Sequence, residues 1–132
     1  MKLITKILII IIIIFIIVLI YKKINKQLDN NLDGPDLNKY IDINDSSIHG
    51  VGLFAKKDFN KNDLLFKAIY PTKQISYHGS LINHSYNPNT YLFENKNGWF
   101  IIGLKNIKEG DEITVDYRDT PYFIKKPDPS WK

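Results

Sequence analysis

The sequence predicts a mostly β domain at residues 40–118, carried behind one N-terminal transmembrane helix, and three observations support that prediction. Leu3 to Tyr21 is a 19-residue run interrupted only by Thr5 and Lys6. From Tyr40 onward, short alternating apolar and polar runs are separated by turn residues, the texture of an all-β chain. Asn95-Lys96-Asn97-Gly98 lies between two such runs and is the clearest hairpin signal, because Asn-Gly supplies the positive φ angles of tight hairpins.

As a helix rising about 1.5 Å per residue, the apolar run spans roughly 28 Å, close to a hydrocarbon core of about 30 Å. Isoleucine dominates it, and lipid enforces helix on β-branched residues because every backbone group must bond internally. Ile17-Val18-Leu19-Ile20-Tyr21 offers no small-residue cleavage site, so residues 1–22 read as an uncleaved anchor. Lys2 and Lys6 on one side nearly balance Lys22, Lys23 and Lys26 on the other, so charge does not orient the span. Residues 23–39 are rich in Asn and Asp, with Asp33-Gly34-Pro35 as a turn, and read as a flexible linker. Such a linker has an end-to-end distance on the order of 20–25 Å.

Within the β domain, Tyr40-Ile41-Asp42-Ile43 alternates, and Gly50-Val51-Gly52 leads into Leu53-Phe54-Ala55. Leu64 to Tyr70 is the next strand, entered through Asn62, which tolerates the left-handed conformation, and stopped by Pro71. Thr72 to Ser80 shows no period. Thr90 to Glu94 and Trp99 to Leu104 form the hairpin, and Glu112 to Tyr117 is the last strand, with Tyr117 at its rim. Residues 119–132, rich in Pro and aromatics, read as a C-terminal flap over the core.

The chain has no cysteine, which excludes disulfides and thiolate metal sites. His49, His78 and His84 lack metal-ligand spacing, so no metal site is assigned. The +4 net charge divides into +3 over residues 1–40 (six Lys against three Asp) and +1 over residues 41–132 (12 Lys plus Arg against 11 Asp plus Glu). The excess sits beside the apolar segment, where it meets lipid headgroups, and direct nucleic-acid binding is not expected of a nearly neutral domain. Tyr77-His78-Gly79-Ser80 places a His near a Ser, but sequence neighbours rarely form a nucleophile and base pair, and no Gly-x-Ser-x-Gly elbow is present.

Three polar stretches remain: Gly50-Val51-Gly52, Asn83-His84-Ser85-Tyr86-Asn87-Pro88-Asn89, and Glu112-Ile113-Thr114-Val115-Asp116-Tyr117. In that order they resemble the signatures of the SET-domain family of protein lysine methyltransferases: a Gly-x-Gly, an Asn-His-Ser-x-x-Pro-Asn and a Glu-Leu-x-x-Asp-Tyr. The resemblance runs from Tyr40 to Tyr117 and is to the minimal SET proteins of viruses or bacteria. It implies a β-clip fold with a C-terminal pseudoknot, S-adenosyl-L-methionine as cofactor, and a protein substrate with a target lysine, of which a histone is one example.

On that resemblance, Gly50, Val51 and Gly52 hold the methionine part of the cofactor by their backbone, and Asn83 and His84 bond it by side chain and backbone. Tyr117 is then the catalytic tyrosine that lines the methyl-transfer pore. Tyr122, Phe123 and Trp131 are candidate walls of the substrate channel, where aromatic faces suit a cationic lysine. A cytosolic cofactor places the domain on the cytosolic side of a single-pass anchor. The chain departs from the family pattern in its short Tyr70–Ser80 segment, in Ser80-Leu81 where Arg-Phe is usual, in the missing zinc cysteines, and in Val115 two residues before the tyrosine. These departures bear on substrate and on the number of methyl groups added. They also motivate the competing expectation, a catalytically inactive SET-like binding module tethered to a membrane. Oligomeric state is left open.

Overall fold

The protein is described here by a computed structural model covering residues 2–31 and 37–131, with the backbone alone for 23–31. It comprises two compact units, a helix ending at Asn31 and the β-rich remainder. Helix α1 spans Lys2–Asn31. Its segment Lys2–Lys22, with a mean hydropathy of 3.5, is long and apolar enough to cross a membrane. The helix continues past Lys22, where the sequence reading begins a flexible linker. Lys22-Lys23-Ile24-Asn25-Lys26-Gln27-Leu28 contains good helix formers, and no Gly or Pro intervenes before Gly34-Pro35. Residues 32–36 of the expected linker lie outside the described residues, and Leu37–Lys39 form a 3-10 turn.

The second unit holds seven strands in two sheets. Strands β1 (Ile41–Asp45), β2 (Val51–Ala55), β4 (Asn83–His84) and β7 (Glu112–Val115) make one sheet in the order β1-β2-β7-β4. Strands β3 (Leu64–Ile69), β5 (Thr90–Asn95) and β6 (Gly98–Gly103) make the other, in the order β3-β6-β5. All pairings are antiparallel except β4 on β7, where Asn83 pairs with Thr114 and His84 with Val115. A parallel pair needs a long crossover, and here the β5–β6 hairpin supplies it.

Phe66, Leu53, Ile101, Ile107 and Ile113 have essentially no exposed surface and form the centre of one apolar cluster. Strand β3 is buried along nearly its whole length. Lys67 stays within it by running its ammonium over the Tyr70 and Phe100 rings, at 5.6 and 5.5 Å. From the C-terminal segment, Phe123 and Ile124 pack against the same cluster.

Asn62 takes the left-handed conformation expected of it (φ 72°) and feeds β3. The β5–β6 hairpin is present with a different turn from the one anticipated. Asn95 pairs with Gly98, leaving Lys96 and Asn97 as the loop, and of these residues only Gly98 has positive φ (121°). A Cβ on Gly98 would strike the Ile69 carbonyl, so the glycine serves close packing on β3 as well as the turn. Strand β7 ends at Val115, earlier than expected. Asp116 is still extended, but its carboxylate accepts from the Arg118 N–H and caps a 3-10 turn, Tyr117–Asp119.

His78 sits against Phe66 and Tyr77 at ring separations of 6.1 and 5.6 Å. Its Nε2 is buried without a partner, and burial lowers its pKa below the ordinary 6.5. The unfolded chain takes up this proton near pH 6.5 while the folded chain resists it, so the His78 contribution is complete above that pH and is lost as pH falls below it. Thermal melts should therefore show Tm falling as pH is lowered from about 7 to about 5, with a shallower slope for His78→Gln; equal slopes would show that His78 does not govern this window.

Candidate functional site

The site is built where β2, β4 and β7 meet. Strand β7 takes β2 on one edge, pairing Leu53 with Ile113 and Phe54 with Glu112, and takes β4 on the other. This brings the glycine stretch, the Asn-His-Ser stretch and the start of the Tyr117 turn to one place.

Asn83 is the junction. Its amide nitrogen donates to the carbonyls of His49 and Val51, each at 3.1 Å, and to Glu112 Oε1 at 2.8 Å. The Ser46 hydroxyl donates to the same carboxylate at 2.8 and 2.9 Å, and accepts from the Ile48 N–H at 2.9 Å. Glu112 thus ties together the turn before β2, the start of β4 and the start of β7. Gly52 faces this carboxylate so closely that a Cβ would collide with it. Gly50 is different: it has φ +49° and open space around it, so the backbone conformation calls for glycine there.

His84 is almost fully buried, and its Nδ1 accepts from the Tyr117 N–H at 3.0 Å. That bond leaves the ring proton on Nε2, which is buried and has no hydrogen-bond partner among the described residues. Tyr86 stands edge-on to the imidazole at 4.3 Å, with Tyr117 at 5.3 Å and Trp131 at 6.2 Å. The Arg118 guanidinium lies 4.8 Å over the Tyr86 ring and pairs with the buried Asp116 carboxylate at 2.5 Å. The Arg118 hydrogen bond holds Asp116 below the usual carboxylate value.

The Tyr117 hydroxyl donates to the Ile82 carbonyl at 2.5 Å, immediately before β4. Burial raises its phenol above the ordinary pKa of 10.0, so it stays protonated throughout the physiological range. It is suited to donate a hydrogen bond and poorly suited to remove a proton.

Of the residues singled out from sequence, Gly50, Val51, Gly52, Asn83, His84 and Tyr117 lie on this junction. The three aromatic tail residues separate. Trp131 meets Tyr117 edge-on at 6.3 Å and lies tilted against His84 at 6.2 Å. Tyr122 and Phe123 line a different surface pocket with Trp99 and Lys73. Sequence reasoning missed Ser46, Arg118 and the Ile82 carbonyl, which lie outside the quoted stretches, and Tyr86, which fills a variable position of one of them. It quoted Glu112 and Asp116 within a motif but gave them no part in the site.

Asn89 closes the Asn-Pro-Asn turn onto β7: its amide donates to the Glu112 carbonyl at 2.7 Å and accepts from the Thr114 N–H at 2.9 Å. The side chain substitutes for a strand neighbour just before β4 begins its own pairing.

A SET domain sequence model matches the chain over residues 69–118. A search of solved structures finds the crystal structure of a candidate histone methyltransferase of Plasmodium falciparum, at 24% identity and a TM-score of 0.50 over 59% of this chain and 92% of that one. A sequence search of the curated proteins finds no match. Residues 69–118 thus match the SET model, and the second unit has a mostly β, SET-like fold; the chain also has an apolar helix long enough to span a membrane. The matched range holds Asn83, His84 and Tyr117; the glycine stretch lies before it.

Asn89→Ala should destabilise the unit by about 1–3 kcal/mol, because a strand N–H and a strand C=O both lose a partner. Urea unfolding would register this as a lower midpoint at unchanged slope; an unchanged midpoint would mean that water replaces the amide at no cost.

Proposed function

We propose that the protein is an S-adenosylmethionine-dependent protein lysine N-methyltransferase, held to a membrane by α1 with its SET domain in the cytosol. The observation that carries this reading is the convergence of Asn83, His84 and Tyr117 on one junction with the carbonyls of His49 and Val51.

The residues present fit the cofactor. Its ammonium suits the two carbonyls and the Glu112 carboxylate that converge on the Asn83 amide. Its heteroaromatic ring suits the ring-lined, buried His84 Nε2–H, a donor lacking a partner. When bound, the cofactor supplies an electrophilic methyl group to a neutral lysine amine. Asn83 and the backbone of residues 49–52 would hold and orient it, and His84 would fix the turn that carries Tyr117. Tyr117 is anchored by its hydroxyl to the Ile82 carbonyl and would line the path between amine and methyl. Positioning and exclusion of water supply the rate in such an in-line displacement. A cytosolic cofactor and substrate favour the cytosolic orientation of the domain.

Calorimetric titration of S-adenosylmethionine into the full chain in detergent should give saturable binding that Asn83→Ala abolishes. Tyr117→Phe should retain binding but lose methyl transfer to protein lysines by on the order of a hundredfold, as when one preorganised donor is removed from an active site. Absence of cofactor binding by the folded chain would overturn the enzymatic reading in favour of a tethered binding module.

Alkaline carbonate extraction should leave the full chain in the membrane pellet and release a chain lacking residues 2–22. Added protease should degrade the domain only from the cytosolic side; protection there would reverse the orientation.

A further inference from the structure

The pocket beside Tyr122 and Phe123 has a volume of about 390 Å³. It opens two residues after Tyr117, at Asp119, and is floored by Trp99 of β6 and Leu92 of β5. The Phe123 ring meets Trp99 edge-on at 5.6 Å and Tyr122 at 5.5 Å, so the aromatic walls brace one another. The Lys73 ammonium, on a backbone with φ 68°, already lies over this ring pair, 5.2 Å from Tyr122 and 5.8 Å from Phe123. It also donates to the Tyr122 hydroxyl at 2.7 Å. These rings therefore accept an alkylammonium group with both cation–π and hydrogen-bond contact.

Two carboxylates, Glu94 and Asp119, line the same pocket. Both are exposed, and neither side chain forms a hydrogen bond or ion pair among the described residues. Among the lining side chains one ammonium faces two carboxylates over an aromatic floor, with Arg118 beside Asp119 and the Lys126 ammonium on the Thr120 carbonyl at the pocket's edge. Such a surface discriminates by charge: it favours Lys or Arg and disfavours Asp or Glu at the residue placed there.

We propose that this pocket receives a basic side chain of the protein substrate, flanking the lysine that is methylated, and so selects target sequences with a second positive charge. The proposal rests on the methyltransferase reading and adds a specificity site to it. The Asp119 edge is two residues from Tyr117, and an extended peptide advances about 3.3 Å per residue, so the recognised side chain lies within roughly four positions of the target. Glu94 and Asp119 act on peptide binding and touch neither the methyl group nor the amine.

The test uses the full chain in detergent and fluorescein-labelled eleven-residue peptides with a central lysine, bearing Arg, Ala or Glu at each flanking position in turn. Fluorescence anisotropy should show the best Arg peptide binding roughly tenfold tighter than its Ala counterpart, the Glu counterpart weaker still, and the preference fading with added salt. Glu94→Gln with Asp119→Asn should remove the preference while S-adenosylmethionine affinity is unchanged. Both side chains are exposed and unpaired, so folding is expected to survive, and the melting temperature checks this. A double variant that keeps the preference, or a wild-type chain that binds Arg and Ala peptides equally, overturns the proposal. Failure of the enzymatic reading is read separately, as absent cofactor binding, and a charge preference that persists without cofactor binding supports the pocket's role in peptide recognition.

Discussion

The two-residue parallel pairing of β4 with β7 is the constraint on which the rest of the β-rich, SET-like unit depends. Asn83 and His84 cannot supply enough backbone bonds to hold a strand in place, and parallel pairs require a long excursion between partners. The pairing persists because side chains reinforce it at both ends. The Asn83 amide ties β4 to Glu112 and to the carbonyls of His49 and Val51 at the entry to β2, and His84 Nδ1 receives the Tyr117 N–H beyond the end of β7. Asn89 extends the same edge by bonding across Glu112 and Thr114, and the Thr90 hydroxyl adds a buried bond to the Thr114 carbonyl at 2.6 Å.

The polar residues of the Asn-His-Ser-x-x-Pro-Asn stretch therefore hold structure as well as any ligand. Ser85 Oγ accepts from the Asn87 N–H at 3.1 Å and starts the turn that Pro88 continues. Partial burial makes each of these bonds costly to lose, because an unpaired polar group away from water costs more than a satisfied one contributes. Two groups stand apart from this pattern of mutual satisfaction. The buried His84 Nε2 has no hydrogen-bond partner among the described residues, and the carbonyls of His49 and Val51 share a single amide with Glu112.

Charge follows the same logic on a coarser scale. Asp116 is buried and is paired by Arg118, which in turn covers Tyr86 and, through it, the imidazole. Glu94 and Asp119 lie exposed on the outside, where a carboxylate in solvent can take a guanidinium or an ammonium as partner. Carboxylates of one chain thus serve opposite ends, one consolidating the wall behind His84 and the others leaving a surface open to a partner.

The membrane-length helix, the β character from Tyr40 onward and the hairpin at Asn95–Gly98 were legible from the sequence, because each rests on local periodicity or on residue types with restricted backbones, whereas the three polar stretches were singled out together only by their resemblance to a family pattern. Strand ends were less legible: Tyr117 alternates in phase with β7, yet the Asp116 cap turns the chain before it. The helix that continues from Lys22 to Asn31 was not legible for a related reason, since a polar composition suits a tether and a helix equally well. Only tertiary structure decided that Glu112 joins Ser46 and Asn83, that Gly52 is demanded by a carboxylate, and that Trp131 parts from Tyr122 and Phe123. Those facts depend on contacts between residues tens of positions apart, and local pattern carries no record of which distant atom a side chain will meet.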